Sequence, residues 1–346
     1  MSHWIHRGRA GAGATVRAQH ARRSFALILM LSATATVGLA ETHRFTPPAK
    51  GNQTYAVREP VLRVKPGDIL ESNTLFSDFY TALTGGSGYP GEVGPIYVEG
   101  ATPNDTLVVK ILRIRPKIDT GRSGTGGRGY AVLTPTTFTP MLTEPTPTRR
   151  HIWKINREKS TATLDLPNSQ IKRIEVAISP MLGRLAVAPS GEQAIEGGAP
   201  GRWGGNMDSS DAHEGTTVYL PIFHDGAYFY FGDGHALQGD GEITGTGIET
   251  QMDVTFQLDV IKNKRIDWPR YEDDDYIMVA GSIRPLLDAF RIAHVEMIHW
   301  LESDYGFERW EALEVLSQVG VARVANVVDP FYTVMAKFPK KYLPRR

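Results

Sequence analysis

Cysteine is absent from this 346-residue chain. The absence excludes a disulfide framework, a thiolate zinc site and a cysteine nucleophile together, so any hydrolytic chemistry must run on oxygen or on a metal. An excess of one charge is also missing: Lys+Arg and Asp+Glu both number 38. No net field therefore draws nucleic acid or an anionic membrane, and polar recognition must come from local patches. The sequence has no repeat of fixed period and no strand–helix alternation of the doubly wound kind. Nor does it contain an uninterrupted apolar run long enough for a comfortable membrane span. What remains is a globular chain whose 41% hydrophobic content can fill a sizeable core.

The first forty residues read differently from the rest. Arg17, Arg22 and Arg23 precede the apolar run from Phe25 to Leu31, and small residues follow up to Gly38-Leu39-Ala40. A basic arm, a short apolar stretch and a small-residue terminus are the parts of a secretory signal, so residues 1–40 are expected to be a signal peptide cleaved after Ala40. Arg22-Arg23-Ser24-Phe25-Ala26 also has the twin-arginine form, whose route carries folded proteins. The expected address is periplasmic or secreted, with no stable membrane anchor.

Residues 41–346 are expected to form one region, β-rich to about residue 281 and helical from about 282 to 320. Short apolar runs such as Val61 to Val64, Ile96 to Val98 and Leu107 to Ile114 are punctuated by the turn residues Lys65-Pro66-Gly67-Asp68 and Thr102-Pro103-Asn104-Asp105. Strands are expected again at 171–178, 217–223 and 228–231. In the stretch 252–260, Met252, Val254, Phe256, Leu258 and Val260 share one face. The period changes after Ser282: Leu286, Leu287, Phe290, Ala293, His294, Met297, Ile298 and Leu301 fall at helical spacing, and a second amphipathic stretch runs from Glu308 to Val319. The fold class is therefore mainly β with a helical C-terminal section, its body a β-sandwich or barrel-like. The Gly- and Arg-rich stretch within residues 117–150 reads as a loop or lid.

Acids and imidazoles concentrate between Asn206 and Glu249, several spaced two apart: Asn206/Asp208, Asp233/His235 and Asp240/Glu242. In an extended segment such a pair projects from one face, and one face can hold one metal ion. Mixed oxygen and imidazole ligands suit Zn²⁺ or another divalent transition metal, whereas oxygens alone suit Ca²⁺ or Mg²⁺. The competing account is that Asp-Gly and Gly-Asp pairs are ordinary turn chemistry. His213 and His224 read as solvated turn residues, and His294 and His299 as histidines on or beside the apolar helical face. Ser87 in Gly85-Gly86-Ser87-Gly88 reads as a turn residue and not as a nucleophile.

With Gly204-Gly205-Asn206-Met207-Asp208 and the run Gly232 to Glu242 in view, the sequence strongly resembles the acetamidase/formamidase family. Gly94 to Ala101, Lys65 to Asp68, Gly183 to Pro189, Thr217 to Pro221 and Val327-Val328-Asp329-Pro330 extend the likeness over most of residues 60 to 340. The resemblance implies hydrolysis of formamide, acetamide or a similar small amide to the acid and ammonia, by water activated on a divalent metal, in a homo-oligomer. On that reading the metal, Zn²⁺ with Ca²⁺ as the alternative, is held by Asp208, Asp233 and His235. Asp240 or Glu242 acts as general base and then acid, and Asn206 donates to the developing oxyanion. Trp203, Tyr228 and Tyr230 could wall the pocket, although core packing is the simpler role for the two tyrosines. The rival reading is an exported, non-catalytic β-protein that uses the same carboxylates for Ca²⁺ and binds a carbohydrate or peptide.

Overall fold

Strands with one apolar face need a second surface to bury it against, and here two sheets serve each other. The computed structural model describes residues 40–76, 89–125 and 149–344; strands are numbered β1 to β20 in chain order. The expected signal segment up to Leu39, the Ser87 turn and residues 126–148 of the expected lid lie outside the described residues.

The larger sheet has nine strands, in the order β1 (Thr42–Arg44), β4 (Ile69–Asn73), β16 (Met252–Ile261), β6 (Thr106–Pro116), β14 (Thr217–Pro221), β17 (Arg270–Glu272), β18 (Tyr276–Ile283), β20 (Tyr332–Pro339) and β19 (Val321–Asn326). A five-stranded sheet runs β13 (Gly204–Asn206), β11 (Met181–Ala186), β15 (Phe229–His235), β5 (Val93–Val98), β3 (Leu62–Val64). Their inner faces share one core. Met252, Val254, Phe256 and Leu258 of β16 are fully buried, as their alternation requires. The Phe256 ring stands edge-on to Phe229 and Phe231 of β15, with centroids 5.8 and 5.1 Å away. Neither sheet closes on itself, so the body is a sandwich and not a barrel.

The other face of the large sheet is covered by helices. Along β18 and β20, Met278, Ala280 and Met335 enter the sandwich core while Ile277, Val279, Val334, Ala336 and Phe338 face away from it. Helices α1 (Leu286–Tyr305) and α2 (Arg309–Val319) close over that second face with Ala289, Ala293, Met297, Leu301 and Leu316. Gly281 permits the close approach of α1, because a Cβ there would lie 2.3 Å from the Ala289 carbonyl oxygen. Glu308 caps α2, accepting from the backbone N–H groups of Trp310 and Glu311. Both helices lie where the change of period places them. The chain then returns as β19 and β20, strands that the sequence reading did not mark. No helix among the described residues is long and apolar enough to cross a membrane.

A smaller sheet of four strands, β10 (Arg173–Ala177), β9 (Thr161–Asp165), β8 (Arg149–Asn156) and β7 (Thr120–Thr125), corrects one expectation. Residues 120–125 are not loop: Thr120 to Thr125 pair in antiparallel register with Lys154 to Arg149. The outer side of β7 is held too, by reciprocal backbone bonds between Arg122 and Glu249 of 2.9 and 2.7 Å. A glycine-rich stretch forms strand here because it has partners on both edges. The remaining pair, β12 (Ile195–Glu196) and β2 (Thr54–Tyr55), packs beside the five-stranded sheet's end of a cavity of about 320 Å³.

Candidate active site

The strand β15 continues past its phenylalanines into Gly232-Asp233-Gly234-His235, so the acid and the imidazole ride on a sheet strand and not on a loop. His235 is buried, and its ring is locked by Gln238. Both N–H groups of the Gln238 amide donate to backbone carbonyls, of Asp208 at 2.6 Å and of Ala325 at 3.2 Å. Its Oε1 is therefore the atom facing His235 Nδ1, at 2.8 Å, and must accept. Nδ1 then carries hydrogen, and Nε2 is the atom turned to the carboxylates.

Two overlapping groups gather around that nitrogen: Asp208, His235 and Glu242, and Asp233, His235 and Glu249, with potential ligand atoms all within 4.8 Å of one another in each group. Nε2 lies 3.1 Å from Glu249 Oε2, without the direction of a hydrogen bond, and 3.6 Å from Asp233 Oδ1, beyond hydrogen-bond reach. Asp208 Oδ1 is likewise buried without a hydrogen-bond partner. Orphaned buried acceptors are costly, of order 1–3 kcal/mol each, unless something else completes them.

Each acid is placed by a strained or clamped backbone. Asp208, Asp233 and Glu242 have φ of +46°, +59° and +47°, in the left-handed region that costs non-glycine residues of order 1–3 kcal/mol. Gly183 of β11 leaves room for the first two, since a Cβ there would lie 2.3 Å from Asp208 Oδ1 and 2.7 Å from Asp233 Oδ2. The turn carrying Glu242 is tied to the end of β19 through Gly241 N–H to the Val324 carbonyl, 2.8 Å, and Val327 N–H to the Gly241 carbonyl, 3.1 Å. Glu249 is held between β7 and β15, with Arg122 on one side and His235 on the other.

The electrostatics follow from this crowding. Burial pushes Asp208 well above the usual carboxylate range, and Asp329 and Asp233 push further in the same direction. Glu242 rises by burial and by Asp208, Asp329 by burial and by Glu242. Glu249 rises by burial, with His235 opposing. Asp233 moves the other way: burial would raise it, but Arg184 and His235 hold it well below its ordinary value. For His235, burial opposes protonation, yet Glu249 and Asp233 override it and raise its proton affinity. Arg184 is the principal counter-charge, with Nη1 2.6 Å from Glu92 Oε1, Nε 2.5 Å from Asn206 Oδ1 and 3.3 Å from Asp233 Oδ2. Glu92 itself is pushed up to about 7 by burial. Acid groups outnumber basic ones, and the cluster is completed by cations, whether protons or a metal ion.

Of the residues singled out in the sequence, Asp208, Asp233, His235, Glu242 and Asn206 come together here, and Asp240 does not. Asp240 is exposed, its carboxylate 3.1 Å from Arg323 Nε, which corrects its expected part as a base. Asn206 reaches the site in another capacity than the expected oxyanion donor: its two N–H groups go to Asp208 Oδ2 at 2.6 Å and Asp329 Oδ2 at 2.7 Å, so neither is left for a substrate. Trp203, Tyr228 and Tyr230 do not line the cavity. Tyr230 is core and donates to the Ala56 carbonyl, and the cavity's aromatic wall is Phe76 and Tyr89. His213 and His224 bond the backbone carbonyls of Glu214 and Pro189 in turns. Arg184, Glu92, Asp329 and Gln238 were not assigned roles from the sequence. The signal for Arg184, Gln238 and Asp329 was their place inside blocks 183–189, 232–242 and 327–330; Glu92 left none.

Similarity to known proteins falls on these same elements. Residues 191–341, which carry every acid around His235, match the Acetamidase/Formamidase family. Among proteins with assigned names, the chain is 31% identical to an acetamidase of Mycolicibacterium smegmatis, covering 49% of this chain and 53% of that one. It is 27% identical to a putative formamidase of Schizosaccharomyces pombe, covering 49% and 51%. The chain thus spans about half the length of these two curated relatives. The crystal structure of an acetamidase from Yersinia enterocolitica superimposes with a TM-score of 0.79 at 34% identity, over 90% of this chain and 96% of that one. A likeness at 34% identity that runs nearly end to end through a solved acetamidase makes this chain a member of the acetamidase/formamidase family.

Proposed function

We propose that this protein hydrolyses a small aliphatic amide, formamide or acetamide, to the carboxylic acid and ammonia, with a divalent metal ion in the carboxylate–histidine cluster. The observation that carries the reading is His235 Nε2, buried, locked in orientation by Gln238, and without a hydrogen-bond partner beside an equally orphaned Asp208 Oδ1. Those two atoms fit a cation better than they fit each other. His235, Asp208 and Glu242 would hold it, because Asp233 is already balanced by Arg184. One nitrogen and several oxygens suit Zn²⁺ or a similar divalent transition ion. Bound there, such an ion supplies Lewis acidity toward water and the amide carbonyl.

The chain's own groups do the rest. Glu249 lines the cavity, is fixed through its backbone, and has a proton affinity raised by burial, so it can take a proton from water and return it to the departing nitrogen. Asn206 and Arg184 hold Asp208, Asp329, Asp233 and Glu92 in place. Leu75, Phe76 and Tyr89 give the cavity an apolar wall that excludes water from one side. The apolar side chains left exposed on the helices, Leu287, Phe290, Val295, Trp310 and Leu313, support a homo-oligomer.

The test is ammonia release from formamide and acetamide together with metal content, before and after chelation, in the native protein and in Glu242→Gln and Glu249→Gln. Loss of bound metal in the first variant, and loss of turnover with metal retained in the second, is the expected pattern. A protein that releases ammonia at an unchanged rate after complete metal removal overturns the metal assignment. One that carries the metal and turns over neither amide overturns the substrate.

A further inference from the structure

The bond at which the leader is expected to be cut, Ala40–Glu41, opens onto a built acceptor. The Glu41 backbone nitrogen lies 2.9 Å from Oδ1 of Asp68, a residue only 4% exposed. The other Asp68 oxygen accepts from Lys65 N–H at 2.8 Å and faces His43 Nε2 at 2.9 Å. Among the described residues, no lysine or arginine side chain lies within ion-pair distance of Asp68, and its recorded partner is His43. The Glu41 side chain adds a second carboxylate to the same group, with potential ligand atoms of Glu41, His43 and Asp68 all within 4.8 Å of one another. One buried acid and one exposed acid thus share one half-buried imidazole, and the group is short of a positive charge.

The backbone around the bond is already fixed. Ile69 N–H donates to the Glu41 carbonyl at 2.8 Å, and from the next residue β1 runs parallel to β4 with Thr42 opposite Ile69. Glu41 is therefore held against Asp68 by the edge of the nine-stranded sheet, while Ala40 and Glu41 themselves are exposed.

We propose that cleavage of the Ala40–Glu41 bond creates the mature N-terminus, and that Asp68 captures the new α-ammonium of Glu41 as a partly buried ion pair that locks β1 onto the sheet. Hydrolysis by a signal peptidase adds water across the peptide bond: the new carboxylate leaves on Ala40, and Glu41 keeps the nitrogen, which is an ammonium at neutral pH. That nitrogen already points one N–H at Asp68 Oδ1, so the reaction turns a neutral hydrogen bond into a charge-assisted one without moving the backbone. The same step supplies the charge that Glu41, His43 and Asp68 lack. On a folded, exported chain, processing and strand locking are then one event. The inference stands on the sheet edge and is independent of the amide-hydrolase reading.

The experiment begins with the intact mass of the exported protein, which should correspond to a chain starting at Glu41. Two purified forms are then compared by thermal melting: one beginning at Glu41, and one that retains Ala40 and so moves the charge one residue away while keeping the Glu41 N–H. The Ala40 form is expected to melt roughly 2–4 °C lower at neutral pH and low salt. In an Asp68→Asn background the two forms should melt together. Because Asp68→Asn disturbs a turn, His43→Gln, which leaves the carboxylate in place, serves as second background, and there the difference between the two N-termini should persist or widen. An N-terminus elsewhere in the exported protein, or equal melting of the two forms with Asp68 intact, overturns the proposal.

Discussion

Replacing Gln238 by methionine tests how the site is organised, because it removes every polar contact of that side chain while nearly preserving its volume. The wild-type amide accepts from His235 Nδ1 at 2.8 Å and donates to the carbonyls of Asp208 at 2.6 Å and Ala325 at 3.2 Å. In Gln238→Met the imidazole N–H is left buried and unpaired, and its ring loses the partner that fixes which nitrogen faces the acids. Loss of such an orienting partner typically lowers metal affinity or activity by about 10–100-fold, which corresponds to roughly 1.4–2.7 kcal/mol. Stranding buried donors and acceptors should also lower folding stability by of order 1–3 kcal/mol. The two effects separate in Gln238→Glu, which keeps an acceptor for Nδ1 but loses both N–H donors: its stability should fall while its metal affinity stays within a few-fold of wild type. Competition with a chromogenic chelator reads the affinity, and urea unfolding of the metal-free protein reads the stability. If Gln238→Met binds metal as tightly as wild type while losing stability, the amide holds the fold and not the ring, and the tautomer argument is refuted.

Three further outcomes follow from the same geometry. Glu249→Gln should reduce the rate of ammonia release by about 10²–10⁴-fold with bound metal retained; an unchanged rate would remove Glu249 as the proton carrier. Phe256→Ala, which empties the contact with Phe229 and Phe231, should cost about 3–5 kcal/mol in urea unfolding, and a loss under about 1 kcal/mol would mean that the two sheets do not share the core described. Asp105 provides a pH test: burial opposes it, but bonds from Lys262, the Asn263 N–H and Thr102 lower its carboxyl from 3.8 to about 2. A folded value below the unfolded one means that the unfolded chain binds the proton first. The contribution, at most about 2.5 kcal/mol, is thus present above pH 3.8 and lost as the pH falls toward about 2. Asp105→Asn should show a shallower loss of stability than wild type across that window, and parallel curves would contradict the assignment.

The fold was legible where one periodicity decided the outcome. The alternation from Met252 to Leu258 and the helical spacing from Leu286 to Leu301 both report a single buried face, and both elements lie where the pattern puts them. The Gly121 to Gly124 segment was misread because its strand identity comes from neighbours and not from its own side chains: β8 pairs one edge and the Glu249 backbone the other. Strand β20 escaped notice for the opposite reason. β20 is buried on both faces, between the sandwich core and the helices, so its apolar residues run on without the alternation that marks a half-buried strand.

The site was legible as composition more than as geometry. Asp233 and His235, spaced by two, do meet at one place on β15, although Asp233 reaches it through a left-handed backbone, φ +59°, and not through plain extended alternation. The same rule paired Asp240 with Glu242, and there it failed, because those residues lie in a turn: Gly241 has φ of +84° and Glu242 of +47°, which sends Glu242 into the cluster and Asp240 out toward Arg323. Arg184 and Asp329 line the cavity from β11 and from the turn after β19, and Glu92, just before β5, joins them through Arg184, the three separated in sequence by up to 237 positions between residues 92 and 329. No local pattern links them, because what joins them is the charge balance of one buried volume. A sequence can announce that acids are numerous near a histidine; which acid keeps its proton depends on how burial balances against the charges beside it: Arg184 and His235 together outweigh burial at Asp233, while Glu92, also paired with Arg184, is still raised, and that balance is a fact of the folded sheet alone.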